Sequence, residues 1–523
     1  MKNRKSVLLA LTAFMALSAV LSGCGNAAND PETGAANAGN KNEPKVKEPT
    51  EFSMMSITYE SELPQNDNPV ELEMEKRTNT KMDVTFVPAN NYGDKIKVTL
   101  ASGDIPDVML TTWIYDSVVL SAIKQGAFWD LTPYLKDYPN LLKTYPKESI
   151  DNTKVNGKVY GLPRPRPLVG GQGFPALRKD WLDKVGLQVP QTMDELYTVL
   201  KAFTEQDPDG NGKKDTYGFI GSVTESWVDK LVFVEDVFAG YNGIYYPKDG
   251  KMLYRDLLPS TREALVWLNK AYKEGVLAPD FAVIKNSQVL DYAKQGKVGM
   301  IPTAMDANVI GDWLTAVQPN APKAEIVHVP TLVSPATGNK YYPKEGGHFG
   351  NYMISKKVSE EKLKDILAFF DYGASQEGMD LANFGFDPSH YKENAEGQKE
   401  ITDEFKKIGG SSYKNIWTLV NPYSRLTPKP GYPKEYYARD VKVVEERLSV
   451  GTYLNTNGVE SETEVKYGPE IGKKIHDMKM KVIVGKESLE NWDKFVATME
   501  KDPNLTKMLE EKYASYVKLY GDK

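Results

Sequence analysis

"ASGDIPDVML", residues Ala101 to Leu110, is the stretch on which the reading of the fold turns. It reads as the end of a helix, a turn and the start of a strand. Pro106 discourages further helix, because its ring pushes the residue before it toward extended backbone. Asp107 then opens Val108-Met109-Leu110, an apolar run of the kind that parallel sheets bury on both faces. Helix, turn and buried strand in that order are the unit of an α/β fold. Ligands on open α/β sheets sit just beyond the carboxyl ends of the strands. The residues that follow are Thr111, Thr112, Trp113, Ile114 and Tyr115, so Trp113 and Tyr115 are expected to line a cleft.

The flanking sequence repeats the pattern. Residues 52–59 and 83–87 read as strands, and residues 69–79 between them carry helical spacing at Val70, Leu72, Met74 and Glu75, a βαβ opening. Thr192-Met193-Asp194-Glu195 is a capping box before the apolar face of Met193, Leu196, Leu200 and Phe203. Ser260-Thr261-Arg262-Glu263 reads as a second such device, with Gly275 as the left-handed stop. Ser359 with Glu360 and Glu361 opens a third helix, its acids facing the positive helix start.

The beginning of the chain addresses a compartment. Lys2, Arg4 and Lys5 precede an apolar run, residues 7–20, that is short of the roughly 20 residues of a comfortable membrane span and reads as an export signal. It ends in Leu21-Ser22-Gly23-Cys24, which resembles the lipobox of bacterial lipoproteins, in which the cysteine is diacylated and becomes the mature N-terminus. Cys24 is the only cysteine of the 523 residues, and lipidation accounts for an otherwise unpaired exported thiol. Residues 25–49 hold one large aliphatic side chain, Val46, and read as a flexible tether. The rest exceeds what one core usually covers, so two lobes are expected. A formal net charge of −6 argues against nucleic acid, whose binders carry a basic stripe. With 30 Tyr, 17 Phe and 8 Trp, there are rings enough for a surface that stacks on sugars.

"ASGDIPDVML", "VNGKVYGLP" (155–163), "LRKDWLDKVGLQVPQTMDELYTVLKAF" (177–203), "GKVGM" (296–300), "GHFGNYMIS" (347–355) and "SQEGMDLANFG" (375–385) occur in that order. Together they resemble the extracellular solute-binding proteins of family 1, the carbohydrate receptors of ABC importers, and most of all their large lipoprotein branch that takes oligosaccharides, alginate among them. The resemblance implies an α/β, two-lobed periplasmic-binding-protein-like fold with a hinge and a central ligand cleft. Residues 1–23 would be the signal peptide and 24–50 the tether. One lobe would take residues 51–164 with 346–410, the other 165–345 with 411–523. Arg164-Pro165-Arg166-Pro167 would be a hinge crossing, its arginines either solvated charges or donors to ligand hydroxyls and carboxylates. The expected ligand contacts are Trp113, Tyr115, Arg164, Arg178, Trp227, Asp306, Asn308, Trp313, Tyr352 and Trp417. Arg164, Arg166 and Arg178 point toward an acidic sugar.

"DPDGNGKKD", residues 207–215, matches the first nine positions of an EF-hand loop. Asp207, Asp209 and Asn211 stand at positions 1, 3 and 5, Gly212 at the turn, the Lys213 carbonyl at 7 and Asp215 at 9. The acid of position 12 is replaced by Gly218, and "YGFIGS" reads as a strand where a second helix would stand. The resemblance implies a structural calcium ion there, clamping a helix end to the next strand; an Asx-rich turn without metal is the alternative.

No bond-making chemistry is expected. His328, His348, His390 and His476 show no metal-ligand spacing, and no G-x-S-x-G nucleophile elbow occurs. The expected protein is a lipid-anchored, monomeric receptor on the outer face of the cell membrane, closing on an oligosaccharide and delivering it to the permease subunits of an ABC transporter. The alternatives are a glycan sensor, a surface-adhesion lipoprotein or a secreted glycan-processing enzyme using two carboxylates.

Overall fold

A computed structural model describes residues 47–521 except 61–62, 65–66, 172, 225–226, 394–398, 419–422 and 427–430. The expected signal peptide, Cys24 and nearly all of the tether lie outside the described residues. No helix among the described residues is long and apolar enough to cross a membrane.

Two sheets organise the body. The first contains β1 (Thr50–Thr58), β2 (Thr80–Pro88), β3 (Val108–Thr111), β4 (Leu162–Pro165) and, far along the chain, β9 (His348–Ile354), in the order β2-β1-β3-β9-β4. β1 runs parallel to β2 and β3, and β9 runs antiparallel to both β3 and β4. The helix Pro69–Thr78 joins β1 to β2 as the spacing predicts, capped by the Asn68 side chain, which accepts from the Val70 amide at 3.0 Å. The helix Ala89–Ser102 carries the chain back past β1, and all four residues of β3 are buried, as its apolar run requires. The second sheet contains β5 (Phe174–Arg178), β6 (Tyr217–Phe219), β7 (Val298–Thr303) and β8 (Ile326–His328), in the order β8-β5-β7-β6, with β6 and β7 parallel and β5 antiparallel to β7 and β8.

Each sheet has its own apolar core. The first unites Met54, Val108, Leu110, Leu162, Met353, Leu367 and Phe370, and it continues past residue 410 through Tyr413, Ile416 and Trp417. The expected boundary at Gly410 is therefore too early: Trp417 packs against Phe369 and Tyr372 of the helix Glu360–Gly373, Tyr413 packs against Phe86, and the second core takes up the chain from Tyr423 and Leu426. That second core holds Phe174, Leu200, Phe219, Met300, Trp313 and Ile326, together with Ile475, Trp492 and Met508 from the C-terminal helices. Its packing dictates two glycines. A Cβ on Gly299 of "GKVGM" would lie 2.1 Å from the Phe203 ring, and one on Gly218 would lie 2.5 Å from the Leu200 carbonyl, so the helix Met193–Glu205 can sit directly on β6 and β7.

Local capping follows the sequence where the signal is local. Thr192 accepts from the Glu195 amide and Glu195 accepts from the Gln191 amide, and Ser359 caps its helix through the Lys362 amide. The expected cap at Ser260 does not form. The helix Pro259–Lys273 begins two residues earlier than a Ser260 cap would have it, because Pro259 takes the first turn, where its missing N–H costs nothing.

Candidate functional site

Strand direction places the site. β1, β3 and β4 all end at one edge of the first sheet, and β9, antiparallel to them, begins there. That edge carries Tyr59 after β1, Trp113 after β3, Arg166 after β4 and His348-Phe349 at the start of β9. β6 and β7 end at the edge of the second sheet where antiparallel β5 begins. Residues 166–171 leave the first edge toward β5, and residues 342–347 lead from the second core into β9. The crossings thus adjoin the two edges, where an open α/β sheet binds ligands.

On the first edge the exposed surface is aromatic. Trp113 is 45% exposed, Tyr59 53% and Phe349 40%. The Trp113 ring lies 5.9 Å from that of His348 and within 8° of parallel, and 5.4 Å edge-on from Tyr115. Burial holds the His348 imidazole below its ordinary value, so it stands as a neutral partner for the indole; its Nδ1 is 3.0 Å from the Gly346 carbonyl. Tyr115 is committed elsewhere, its hydroxyl donating to the Asn152 and Lys154 carbonyls at 2.8 and 2.9 Å. It props Trp113 from the side.

On the second edge, Trp227 is half-buried, with the Arg255 guanidinium 5.5 Å from its ring centre. Arg255 is itself buried among Glu235, Asp236 and Asp256, and Lys479 pairs with Glu235 and Asp256. Asp306 caps the helix Ala307–Val317 by accepting from the Asn308 amide at 2.9 Å, which leaves Asn308 exposed beside it.

Five of the expected contacts lie elsewhere. Trp417 is buried against Phe369 and Tyr372, with ring centres 4.8 and 5.6 Å away. Trp313 is buried in the second core on the inner face of its helix. Tyr352 points into the first core, bonded to Ser56 Oγ and the Asn415 carbonyl, both at 2.7 Å. Arg164 lies beneath the aromatic edge rather than on it. It donates to the Phe349 carbonyl at 3.1 Å and to Asn415 Oδ1 at 2.7 Å, with its guanidinium 5.0 Å from the Phe349 ring centre. Arg178 ends β5, at the opposite edge of its sheet, where it grips Asp180 through Nε and Nη2 at 2.8 and 2.6 Å. Sequence reasoning left out Tyr59 and Phe349. Their signal was their place, one immediately after a strand and the other inside "GHFGN".

The 207–215 loop sits at that opposite edge too, sharing a hollow with Arg178, Asp180 and Trp181. Asp207 adopts φ +46° and accepts from the amides of Gly210, Asn211 and Gly212 at 3.0 to 3.2 Å. The Asn211 amide donates to Asp209 at 2.7 Å and to Asp215 at 3.1 Å. Asp207 is held below the usual carboxylate range by a hydrogen bond with Asp209 and then by loop amides, and Asp209 is raised by burial and then by Asp207. Among the described residues no three His, Cys, Asp or Glu side chains converge as a metal site. The chain around the loop puts Asn211 Nδ2 between the carboxylates.

An apolar groove of about 460 Å³, lined by Met252, Tyr254, Leu257, Leu505, Leu509 and Tyr513, shares no residue with either strand edge. The family described as bacterial extracellular solute-binding protein matches residues 66–380. The chain belongs to the bacterial extracellular solute-binding proteins. It is 31% identical over 513 residues, 96% of both chains, to the polygalacturonan/rhamnogalacturonan-binding protein YtcQ of Bacillus subtilis. It is 29% identical over 520 residues, 95% of both, to lipoprotein LipO of the same species. Among solved structures it is similar to the Streptococcus pneumoniae ABC-transporter substrate-binding protein FusA, an EF-hand mutant in complex with fructo-nystose. That similarity has a TM-score of 0.62 at 18% identity, covering 91% of this chain and all of the other, and it shows a shared fold. In this solute-binding protein, then, the two sheet edges are the place to look for the solute.

Proposed function

We propose that this solute-binding protein is a lipid-anchored receptor that captures an oligosaccharide between its two sheet edges and delivers it, by hinge closure, to an ABC importer. The observation that carries the reading is the exposed aromatic edge. Rings of Tyr59, Trp113 and Phe349 stand free at strand ends, where an apolar pyranose face would stack, and Asn308 supplies hydroxyl-binding groups from the other side. Trp227 offers a second platform. Its relatives, a polygalacturonan/rhamnogalacturonan-binding protein and a lipoprotein, support a glycan ligand and an anchor at Cys24. Closure is the work such a protein does: a ligand touching both lobes favours the shut form by its differential affinity. Nothing in that mechanism calls for a bond to be broken.

A thermal-shift screen of the purified protein against oligosaccharides tests the reading. A ligand raises Tm by mass action, and Trp113→Ala should reduce that rise at a fixed ligand concentration. A screen in which no oligosaccharide moves Tm would sink it.

The 207–215 loop is part of the same proposal. Asp207, Asp209, Asn211 and Asp215 supply hard oxygens with the spacing calcium needs, and two carboxylates close enough to share a proton suit a cation better than each other. They would hold the ion as a brace, with the Asn211 amide turned to present Oδ1. Calcium added to chelator-stripped protein should raise Tm. An unchanged melt would leave the loop an Asx-rich turn.

A further inference from the structure

The arginines at the crossing separate into two kinds. Arg164 is fully occupied, as described above. Arg166, two residues on, is not: its amide ties the crossing strands together by donating to the Gly347 carbonyl at 2.8 Å, but its guanidinium makes one hydrogen bond, from Nη1 to the Pro165 carbonyl at 3.2 Å. Arg425 enters the same place from the stretch that leads into the second core. A Cβ on Gly170 would be 3.8 Å from its Cδ, and its buried Nε has no hydrogen-bond partner.

One carboxylate stands close by. Glu345, whose amide donates to the Leu168 carbonyl at 2.8 Å, accepts from the Gly171 amide at 2.6 Å. Among the described residues it forms no ion pair with either guanidinium. Two cations therefore face one acid at the edge where the aromatic surface lies. Burial first, and then Arg164 and Arg425, push the Arg166 guanidinium down to about 9, far below an arginine's ordinary value. Two half-buried cations that share one carboxylate leave a positive charge unbalanced, which is costly and calls for an anion.

We infer that Arg166 and Arg425 form a receptor for one carboxylate of the bound glycan, so that the solute is an acidic oligosaccharide built on uronate residues. The inference rests on the oligosaccharide reading above and narrows it. The planar fork of arginine matches a carboxylate through two parallel N–H donors. Arg166 lies on the crossing and Arg425 at the second core, so a carboxylate held between them would draw the two lobes onto the ligand. Arg178, the other candidate for an acid, is spent on Asp180 at the far edge.

The experiment is calorimetric titration at constant ionic strength with paired probes: oligogalacturonate and oligomannuronate, each against its carboxyl-reduced neutral counterpart. At least one acidic probe should bind roughly 10- to 100-fold more tightly than its neutral partner, the worth of charge-assisted hydrogen bonds. Arg166→Gln and Arg425→Gln should each bring that ratio toward one. Removing one of two cations that share a single carboxylate should also leave the Tm of Arg166→Gln equal to or above that of the parent, whereas a merely structural arginine would lower it on replacement. Equal affinity for acidic and neutral probes would overturn the carboxylate receptor while leaving the oligosaccharide reading intact. No binding of any oligosaccharide here or in the thermal-shift screen would remove the reading on which it rests.

Discussion

Trp113 and Trp417 show how far a residue's chemistry is from its role. Both are tryptophans in short irregular stretches, and both are expected at the cleft. Trp113 follows a strand at the ligand edge and is nearly half exposed, whereas Trp417 is closed in by Phe369, Tyr372 and Gly373. Substitution should separate them. Trp113→Ala should leave stability within about 0.5 kcal/mol of the parent, as exposed positions do, and weaken oligosaccharide binding roughly tenfold through lost stacking. Trp417→Ala should cost about 3–5 kcal/mol in a denaturant titration, the price of emptying a core site. Comparable melting temperatures for the two variants would contradict the assignment. The position of Trp113 was legible because it depends on the four-residue strand Val108–Thr111 that ends two residues before it. The burial of Trp417 was not, since the helix that covers it starts more than fifty residues earlier.

At the scale of elements, caps and strands that rest on neighbouring residues could be read directly, as at Thr192 and Ser359. Arg178 could not be placed that way: which edge it occupies depends on β5 running antiparallel to β7, a long-range pairing that the sequence around it does not encode. The same dependence hid the charge cluster that fastens the helix Val232–Ala239, the turn Arg255–Leu257 and the helix Glu462–Ile483 together. Arg255 and Lys479 meet three buried carboxylates there, one more acid than cation, and burial pushes Asp236 up to about 7. A carboxyl whose folded value exceeds its unfolded one favours the fold while protonated. Its contribution is full below the unfolded value of about 4 and is lost as pH rises through about 7. The parent should therefore lose stability relative to Asp236→Asn as pH is raised from 4 to 8, measured by melts of both across that range. A constant difference would show that Asp236 keeps its charge throughout. Trp227 gains from this cluster, because an arginine fixed on three sides is a rigid partner for its ring.

For the whole molecule, the proposed capture by closure has the two sheets move relative to each other, and the crossings limit how. Residues 166–168 pair with 345–347, Lys344 donates to the Thr452 carbonyl at 2.9 Å, and Asn455 and Asn457 reach across to Asn152 at 3.1 and 3.0 Å. Rotation about such a bundle changes the distance between Trp113 and Trp227 far more than it disturbs either core. Gly347 sits in the middle of it with φ +75°, and a Cβ there would meet Ser149 Oγ at 2.5 Å and Leu168 Cδ2 at 2.8 Å. Gly347→Ala should thus cost about 1–3 kcal/mol as a residue forced into left-handed backbone. Because it also biases the hinge, it should change the apparent affinity without touching a ring or a guanidinium of the site, through the fraction of molecules able to close. Small-angle scattering should show the parent's radius of gyration falling when the ligand found in the screen is added. An unchanged radius at saturating ligand would mean that the solute binds to a shape already closed, and Gly347→Ala would then alter stability alone.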